Sequence, residues 1–377
     1  MEPAVSPKML AAIRAPFEAF GGAWTDAPAL QPLGLLLDLA GEAVRSRLYV
    51  VSGGVEEQAL RPDFTIPITR AHIASAHAEG RYLYEGKAFR APASSDENEA
   101  EFLQIGVEAF GSHEDPAIED AAVAALAWAA AKAGGRRDLS IQLGDIGLFR
   151  AFLIALKLPE TTTARLVRVF ANPRALWMEV RRAQSPTAEP SGSSRLADLL
   201  ADLPEAEAAE VLEELWGLAG IQPVGGRSAA EITHRLALRA EAARTPPLSA
   251  AEAGLIERFL KVSDQPRTAL DKAESLASEG GGDLSATTEH WTRRLKALVE
   301  AGAPEKALTL STAFVRPFGY YDGMFFEVRS DALGPDAPIA AGGRYDGLPA
   351  RLGGKAGAVG CMIRPGRAVA PSVKGPA

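Results

Sequence analysis

The sequence predicts an α+β fold: a mostly antiparallel sheet flanked by helices, with a helical insertion. Three observations carry this. Up to about residue 148, strand-like and helix-like segments interleave without a βαβ rhythm, and neighbouring strands are joined by short loops. From about 149 to 303 the texture is helical. Strand texture then resumes, so residues 1–148 and 304–377 are expected to build one sheet domain around the insertion 149–303.

In chain order, Met9, Leu10, Ile13, Phe17 and Phe20 fit an amphipathic helix stopped by Gly21 and Gly22. "WTDAPALQPLGLLLDLAGE" is a short extended piece with Pro28 and Pro32 that leads into a leucine-rich helix. "SRLYVVS" and "GVEEQALRP" read as a short hairpin, and "DFTIPITRAHIASAHAEG" as a turn into a helix. "YLYEGKAFR" and "EFLQIGVEAFG" follow as a strand pair whose loop carries Asp96, Glu97, Glu99 and Glu101. The alanine-rich "IEDAAVAALAWAAAKAGG" reads as a packed helix with a glycine stop, and "LSIQLGD" as a strand. Within the insertion, Leu196, Leu199, Leu200 and Leu203 fall on one helical face. Leu255, Phe259 and Val262 do the same, as do Trp291, Leu295, Leu298 and Val299. "AQSPTAEPSGSS" and "SEGGGD" read as loops.

The 377 residues, 47% hydrophobic and 23% charged, have the balance of a globular chain with one large core or two ordinary ones. A net charge of -8 gives no electrostatic footprint for a nucleic-acid backbone. The single cysteine, Cys361, excludes an intrachain disulfide framework and reads as a small buried residue. His72 and His77 sit off a common helical face and no carboxylate pattern completes a metal set, so no metal or other cofactor is expected. The N-terminus lacks a secretory pattern and no run is apolar enough to span a bilayer; a cytoplasmic address without a membrane partner is the expectation.

The chemistry sits on strands. The pleat of "EFLQIGVEAFG" sends Leu103, Ile105, Val107 and Ala109 to one face and Gln104, Gly106 and Glu108 to the other. The second face is either a row of ligand contacts, with an amide, a gap and a carboxylate, or an ordinary solvated sheet face. "YYDGMFFEV" alternates Tyr321, Gly323, Phe325 and Glu327 against Tyr320, Asp322, Met324 and Phe326, as a strand buried on both sides does. In "AAGGRYDGL" the glycine pair before Arg344, Tyr345 and Asp346 serves either close ligand approach or a tight turn.

Taken in order, "LRPDFTIPITR", "YLYEGKAFR", "EFLQIGVEAFG", "FVRPFGYYDGMFFEV", "GGRYDGL" and "GAVGCMIRPGR" resemble the catalytic core of histidyl-tRNA synthetase, a class II aminoacyl-tRNA synthetase. The resemblance implies an antiparallel sheet flanked by helices and a homodimer formed through the region around Pro28. It puts Asp63 where the family uses a glutamate toward the histidine amine, with Thr65 close by. Gln104, Glu108, Tyr320, Tyr321 and Tyr345 match positions around the amino acid, and Arg316 the arginine beside its carboxylate. Arg90 and Arg367 match the arginines that grip ATP, as a vestigial nucleotide site.

The departures redirect the function. Pro92 replaces a glutamate that orients ATP, and proline offers neither a side-chain acceptor nor an N–H. Gly366 replaces the glutamate before the last arginine, behind Arg364 and Pro365. The loop that meets tRNA in synthetases is acidic, and the chain leaves no room for an anticodon-binding domain. A synthetase-like core with a histidine pocket and a damaged ATP site is similar to the regulatory subunits of ATP phosphoribosyltransferase. That likeness implies no catalytic residues, a short-form catalytic subunit as partner, histidine as effector, and no nucleic acid. The alternative is a free-standing amino-acid-activating enzyme.

Overall fold

Ser6 starts the first helix, its hydroxyl accepting from the Met9 amide at 3.3 Å, and Pro7 follows where a missing N–H costs nothing. This helix, α1 (Pro7–Phe20), buries Ile13 and Phe17 and stops at Gly21, whose φ of 80° is left-handed territory. The computed structural model describes residues 2, 4–92, 100–111, 115–184, 199–200, 203–219, 228–230, 232–233, 246–316 and 319–370. The acidic loop's Asp96, Glu97 and Glu99, and Leu196 of the insertion, lie outside the described residues.

After α1 come β1 (Ala23–Trp24), β2 (Leu30–Pro32), α2 (Leu33–Ala40), β3 (Val50–Val51), β4 (Gln58–Leu60) and α3 (Thr65–Ala74). Then follow β5 (Gly80–Phe89), β6 (Glu101–Gly111), α4 (Pro116–Ala133), β7 (Leu139–Asp145) and α5 (Ile146–Ala155). The helices α6 (Glu160–Val169), α7 (Pro173–Gln184), α8 (Glu205–Ala219), α9 (Ala250–Leu260), α10 (Pro266–Glu279) and α11 (Ser285–Glu300) come next, with β8 (Ser263–Asp264) between α9 and α10. The chain continues with β9 (Leu308–Ser311), β10 (Met324–Ser330), β11 (Ala340–Arg344), α12 (Gly347–Arg351), β12 (Gly357–Ile363) and α13 (Pro365–Ala368). Among the described residues no helix is long and apolar enough to cross a membrane.

The chain divides into two compact units, Met1–Phe152 with Arg258–Ala377, and Leu153–Glu257. The first holds a nine-stranded sheet in the order β1-β5-β6-β12-β11-β10-β7-β9-β8. Its pairs are antiparallel except β1 with β5 and β7 with β9. The hairpin read from residues 46–62 is present as β3 and β4, which with β2 form a separate three-stranded sheet. Helix α4 is capped by Asp115, which accepts from the Ala117 amide at 3.0 Å, and most of its alanines are buried on the side of β11 and β12. Small side chains let that helix lie close to the sheet. Helices α10 and α11 fall within residues 149–303, read as one insertion, yet they pack on β9 and α4 in the first unit.

In the second unit α6 packs on α7, joined by an ion pair in which Arg165 Nε is 2.6 Å from Glu179. A separate cluster gathers Leu200, Ala208, Leu212 and Ala229. Three residues read as helix-face hydrophobes turn outward: Leu199 is 62% and Leu203 37% exposed here, and Val299 of the first unit 38%. Leu203 stands in a bend outside any helix, whereas Leu199 and Val299 directly precede or follow a buried leucine, Leu200 and Leu298. Neighbours in a helix point about 100° apart, so only one of such a pair centres on the buried face.

Candidate functional site

Two glycines shape the floor of a pocket in the sheet of the first unit. In the β5–β6–β12 register, Gly106 stands between Tyr84 and Met362, and Gly360 stands beside Glu108. A Cβ at 106 would run into the Tyr84 ring and the Cys361 carbonyl, and one at 360 into the Glu108 carboxylate. Without them, Tyr84 and Glu108 lie across the sheet. Asp63 and Thr65 enter from the start of α3, and Arg90 from the end of β5. Arg316, Tyr320 and Tyr321 arrive ahead of β10, and Tyr345 directly after β11. The space free of protein atoms there, open solvent at its mouth included, is about 320 Å³.

Glu108 is the centre of the hydrogen bonding. Its Oε1 accepts from the Thr65 hydroxyl at 2.8 Å and from Tyr84 at 3.4 Å, and its Oε2 accepts from the Tyr345 hydroxyl. Burial nevertheless pushes its carboxyl up to about 8, against the pull of those three donors. Asp63 is also raised by burial, opposed by the Arg90 guanidinium and by the Tyr320 hydroxyl donating to Oδ2 at 3.0 Å. Burial lifts Tyr84, Tyr320 and Tyr345 well above the usual phenol range, and Tyr321 to about 12. These phenols stay neutral donors at any physiological pH.

Two buried atoms on this lining have no hydrogen-bond partner among the described residues: Asp63 Oδ1, an acceptor, and Arg316 Nε, a donor. Such orphans cost about 1–3 kcal/mol each, which a ligand recovers by pairing them. The rest of the Arg316 guanidinium is anchored on Glu327 at 2.6 Å, and Arg329 grips the other Glu327 oxygen at 2.7 Å.

Behind the pocket, Tyr345 is held by its neighbours. Arg344 Nε donates to Asp120 of α4 at 2.7 Å, and Arg294 of α11 donates to the other Asp120 oxygen at 2.8 Å. Asp346 accepts from the Ala358 amide at 2.7 Å, and Asp322 accepts from the Asp346 amide at 3.0 Å. Burial raises Asp322 to about 6.

Of the predicted ligand residues, Asp63, Thr65, Glu108, Arg316, Tyr320, Tyr321 and Tyr345 line this one pocket together with Arg90. The strand face that carries Glu108 is buried, so the solvated reading of that face does not hold. Gln104 shares the face but does not line the pocket, and both its amide atoms are buried without a hydrogen bond among the described residues. Strand alternation put Tyr320 and Tyr321 on opposite faces; both reach the pocket because β10 begins only at Met324. Tyr84 and Cys361 are lining residues that motif reading missed. The antiparallel register that sets Tyr84 opposite Gly106 was the available signal. Arg367 is not on the pocket: its Nη1 donates to the Pro338 carbonyl at 3.1 Å and its Nε lies 3.1 Å from Glu2. Among the described residues no group of three or more ligating side chains would hold a metal.

The fold and this pocket define a histidyl-tRNA synthetase-like chain. The family model described as Histidyl-tRNA synthetase matches residues 6–219 and 207–366. An ATP phosphoribosyltransferase regulatory subunit/histidyl-tRNA synthetase from Bacillus halodurans superposes with a TM-score of 0.62 at 20% identity, over 98% of this chain and 82% of that one. A histidyl-tRNA synthetase from Nostoc gives 0.59 at 19%, over 96% and 69%. At those identities the likeness is one of fold. The ATP phosphoribosyltransferase regulatory subunit of Brucella anthropi is 34% identical over 340 residues, 86% of each chain. That of Brucella ovis is 34% identical over 349 residues, 91% of this chain and 90% of its own. The chain belongs to the family of ATP phosphoribosyltransferase regulatory subunits. These relatives fit a non-catalytic regulatory role and not a free-standing amino-acid-activating enzyme.

Proposed function

We propose that this chain acts as the regulatory subunit of ATP phosphoribosyltransferase, raising the activity of a short catalytic subunit and sensing free histidine in the Asp63–Glu108 pocket. The observation that carries the sensing role is the orphan pair. Asp63 Oδ1 suits an ammonium and Arg316 Nε a carboxylate, the two ends of any amino acid. Glu108, backed by Tyr345 and Thr65, is left to select the side chain. A histidine ring fits that chemistry: a carboxyl accepts from an imidazole N–H or, protonated, donates to the bare ring nitrogen.

The working unit in this reading is a homodimer in the cytoplasm with short catalytic subunits docked on it. No nucleic acid takes part, in keeping with the net charge of -8. Histidine favours an inactive arrangement of the assembly, with a coupling on the order of 1–3 kcal/mol. The test mixes the purified chain with the short catalytic subunit of the same organism and follows phosphoribosyl-ATP formation. Stimulation together with a complex on a sizing column is expected. An unchanged rate and no complex would contradict the proposal.

A further inference from the structure

Behind the carboxylate end of the pocket three charges stand in a row. The pleat of β10 puts Phe325, Glu327 and Arg329 on one face of the strand. Glu327 Oε1 accepts from Arg316 Nη1 at 2.6 Å, and its Oε2 accepts from Arg329 Nε at 2.9 Å and Nη2 at 2.7 Å. Of the three residues only Arg316 lines the pocket. The side chains of Arg316 and Glu327 are 6% and 9% exposed and that of Arg329 is 25% exposed, so the row runs from the pocket wall toward water. Arg329 is itself held in place: its guanidinium lies 5.0 Å from the centre of the Phe314 ring, which packs on Phe325 with ring centres 5.3 Å apart.

Glu327 fixes Arg316 but also opposes its charge. Both partners are buried, so water and salt screen that opposition little. Paired with no other cation, Glu327 would offset much of the positive charge that a ligand carboxylate needs at Arg316 Nε, the donor left without a hydrogen bond among the described residues. Arg329 changes this balance by spending two charge-assisted bonds on the other oxygen of Glu327. We propose that Arg329 is a positioning residue for the ligand: it balances Glu327 so that Arg316 stays anchored yet net positive, and this makes the pocket select ligands with a free carboxylate. The inference rests on the reading of this pocket as a histidine site and adds to it a residue that touches no ligand. A purely structural Arg329, covering Phe314 and β10, has a different consequence, since its loss weakens every ligand of the pocket alike.

The test titrates L-histidine and L-histidinol calorimetrically into the full chain, alone and in complex with its short catalytic subunit. Histidinol keeps the ring and the amine and carries a hydroxymethyl group where histidine has its carboxylate. Wild type is expected to prefer histidine. Arg329→Gln is expected to lower that preference at least about tenfold, through weaker histidine binding alone, the worth of one charged contact. Adding Glu327→Gln removes the charge that Arg329 balances and is expected to return the preference to within about threefold of wild type. No preference in wild type, an unchanged preference in Arg329→Gln, or equal losses for both ligands that the double variant does not regain would overturn this inference and leave the histidine reading in place. A wild type that binds neither ligand in either form would overturn that reading, and this inference with it.

Discussion

The pocket and the turn from β12 into α13, which carries Arg364 and Arg367, lie on neighbouring stretches of the same sheet, and they treat buried charge in opposite ways. In the pocket, Asp63 Oδ1 and Arg316 Nε are buried without an internal hydrogen bond, and Glu108 is lifted to about 8 by burial. At the turn, Arg364 and Arg367 form ion pairs with Glu2 of their own chain, although Arg364 Nε and Glu2 Oε1 make no well-aligned hydrogen bond. A buried atom with neither hydrogen bond nor opposite charge against it is a handle for something outside the chain, whereas a charge met by a carboxylate of its own chain is covered. The difference separates a surface still built to receive an amino acid from one whose positive charge the fold has covered. It also fits Pro92 and Gly366, which stand where the synthetase resemblance expects carboxylates around a nucleotide.

The largest expected effect comes from the support behind the pocket. Asp120 is fully buried between Arg294 and Arg344, so Asp120→Ala takes the shared carboxylate from two buried guanidiniums, leaving Arg294 to Asp145 and Arg344 to Glu119 and Asp346. Urea unfolding is expected to show a loss of about 3–5 kcal/mol, whereas a change within experimental error would mean that this network does not brace Tyr345.

The next effect is on the ligand. At a hundredfold excess over its dissociation constant, histidine stabilises a one-site binder by about 2.7 kcal/mol. Thermal scans are expected to show that rise with histidine and to lose it in Glu108→Ala.

Smaller still, per unit of pH, is a pH effect. A carboxyl raised by burial binds its proton more tightly folded than unfolded. The contribution of Glu108 to stability is therefore full at low pH and declines between its unfolded value of 4.5 and its folded value of about 8. The slope is at most about 1.4 kcal/mol per pH unit. Glu108→Gln is expected to flatten the thermal midpoint between pH 5 and 8, and an unchanged slope would move the titration to another group. The smallest effect belongs to Arg367→Ala, which lies off the pocket and is expected to alter the histidine-dependent shift by less than about 0.5 kcal/mol.

How much of this was legible in the sequence depended on how local the cause is. The apolar spacing that ends at Gly21 and the pleat of Gln104, Gly106 and Glu108 are short-range signals, and each stands in the structure as its spacing implied. Whether that pleated face meets water is not local, because its cover comes from α3 and from residues 319–323. Period-2 reasoning also failed at Tyr320 and Tyr321, since a pleat holds only inside a strand and β10 starts after them. The pairing of Glu2 with the β12–α13 turn brings together opposite ends of the chain, and no motif or periodicity encodes that.

Histidine feedback through this pocket is the central claim, and one assay tests it directly. Phosphoribosyl-ATP formation by the short catalytic subunit is measured with this chain, as wild type and as Glu108→Ala, over a range of histidine concentrations, with complex formation checked on a sizing column. The account predicts that histidine suppresses the wild-type complex and that Glu108→Ala, still in complex, shifts the suppression to at least about tenfold higher histidine, the loss of one buried hydrogen bond. Identical histidine inhibition curves for the two complexes would contradict it and place the effector elsewhere.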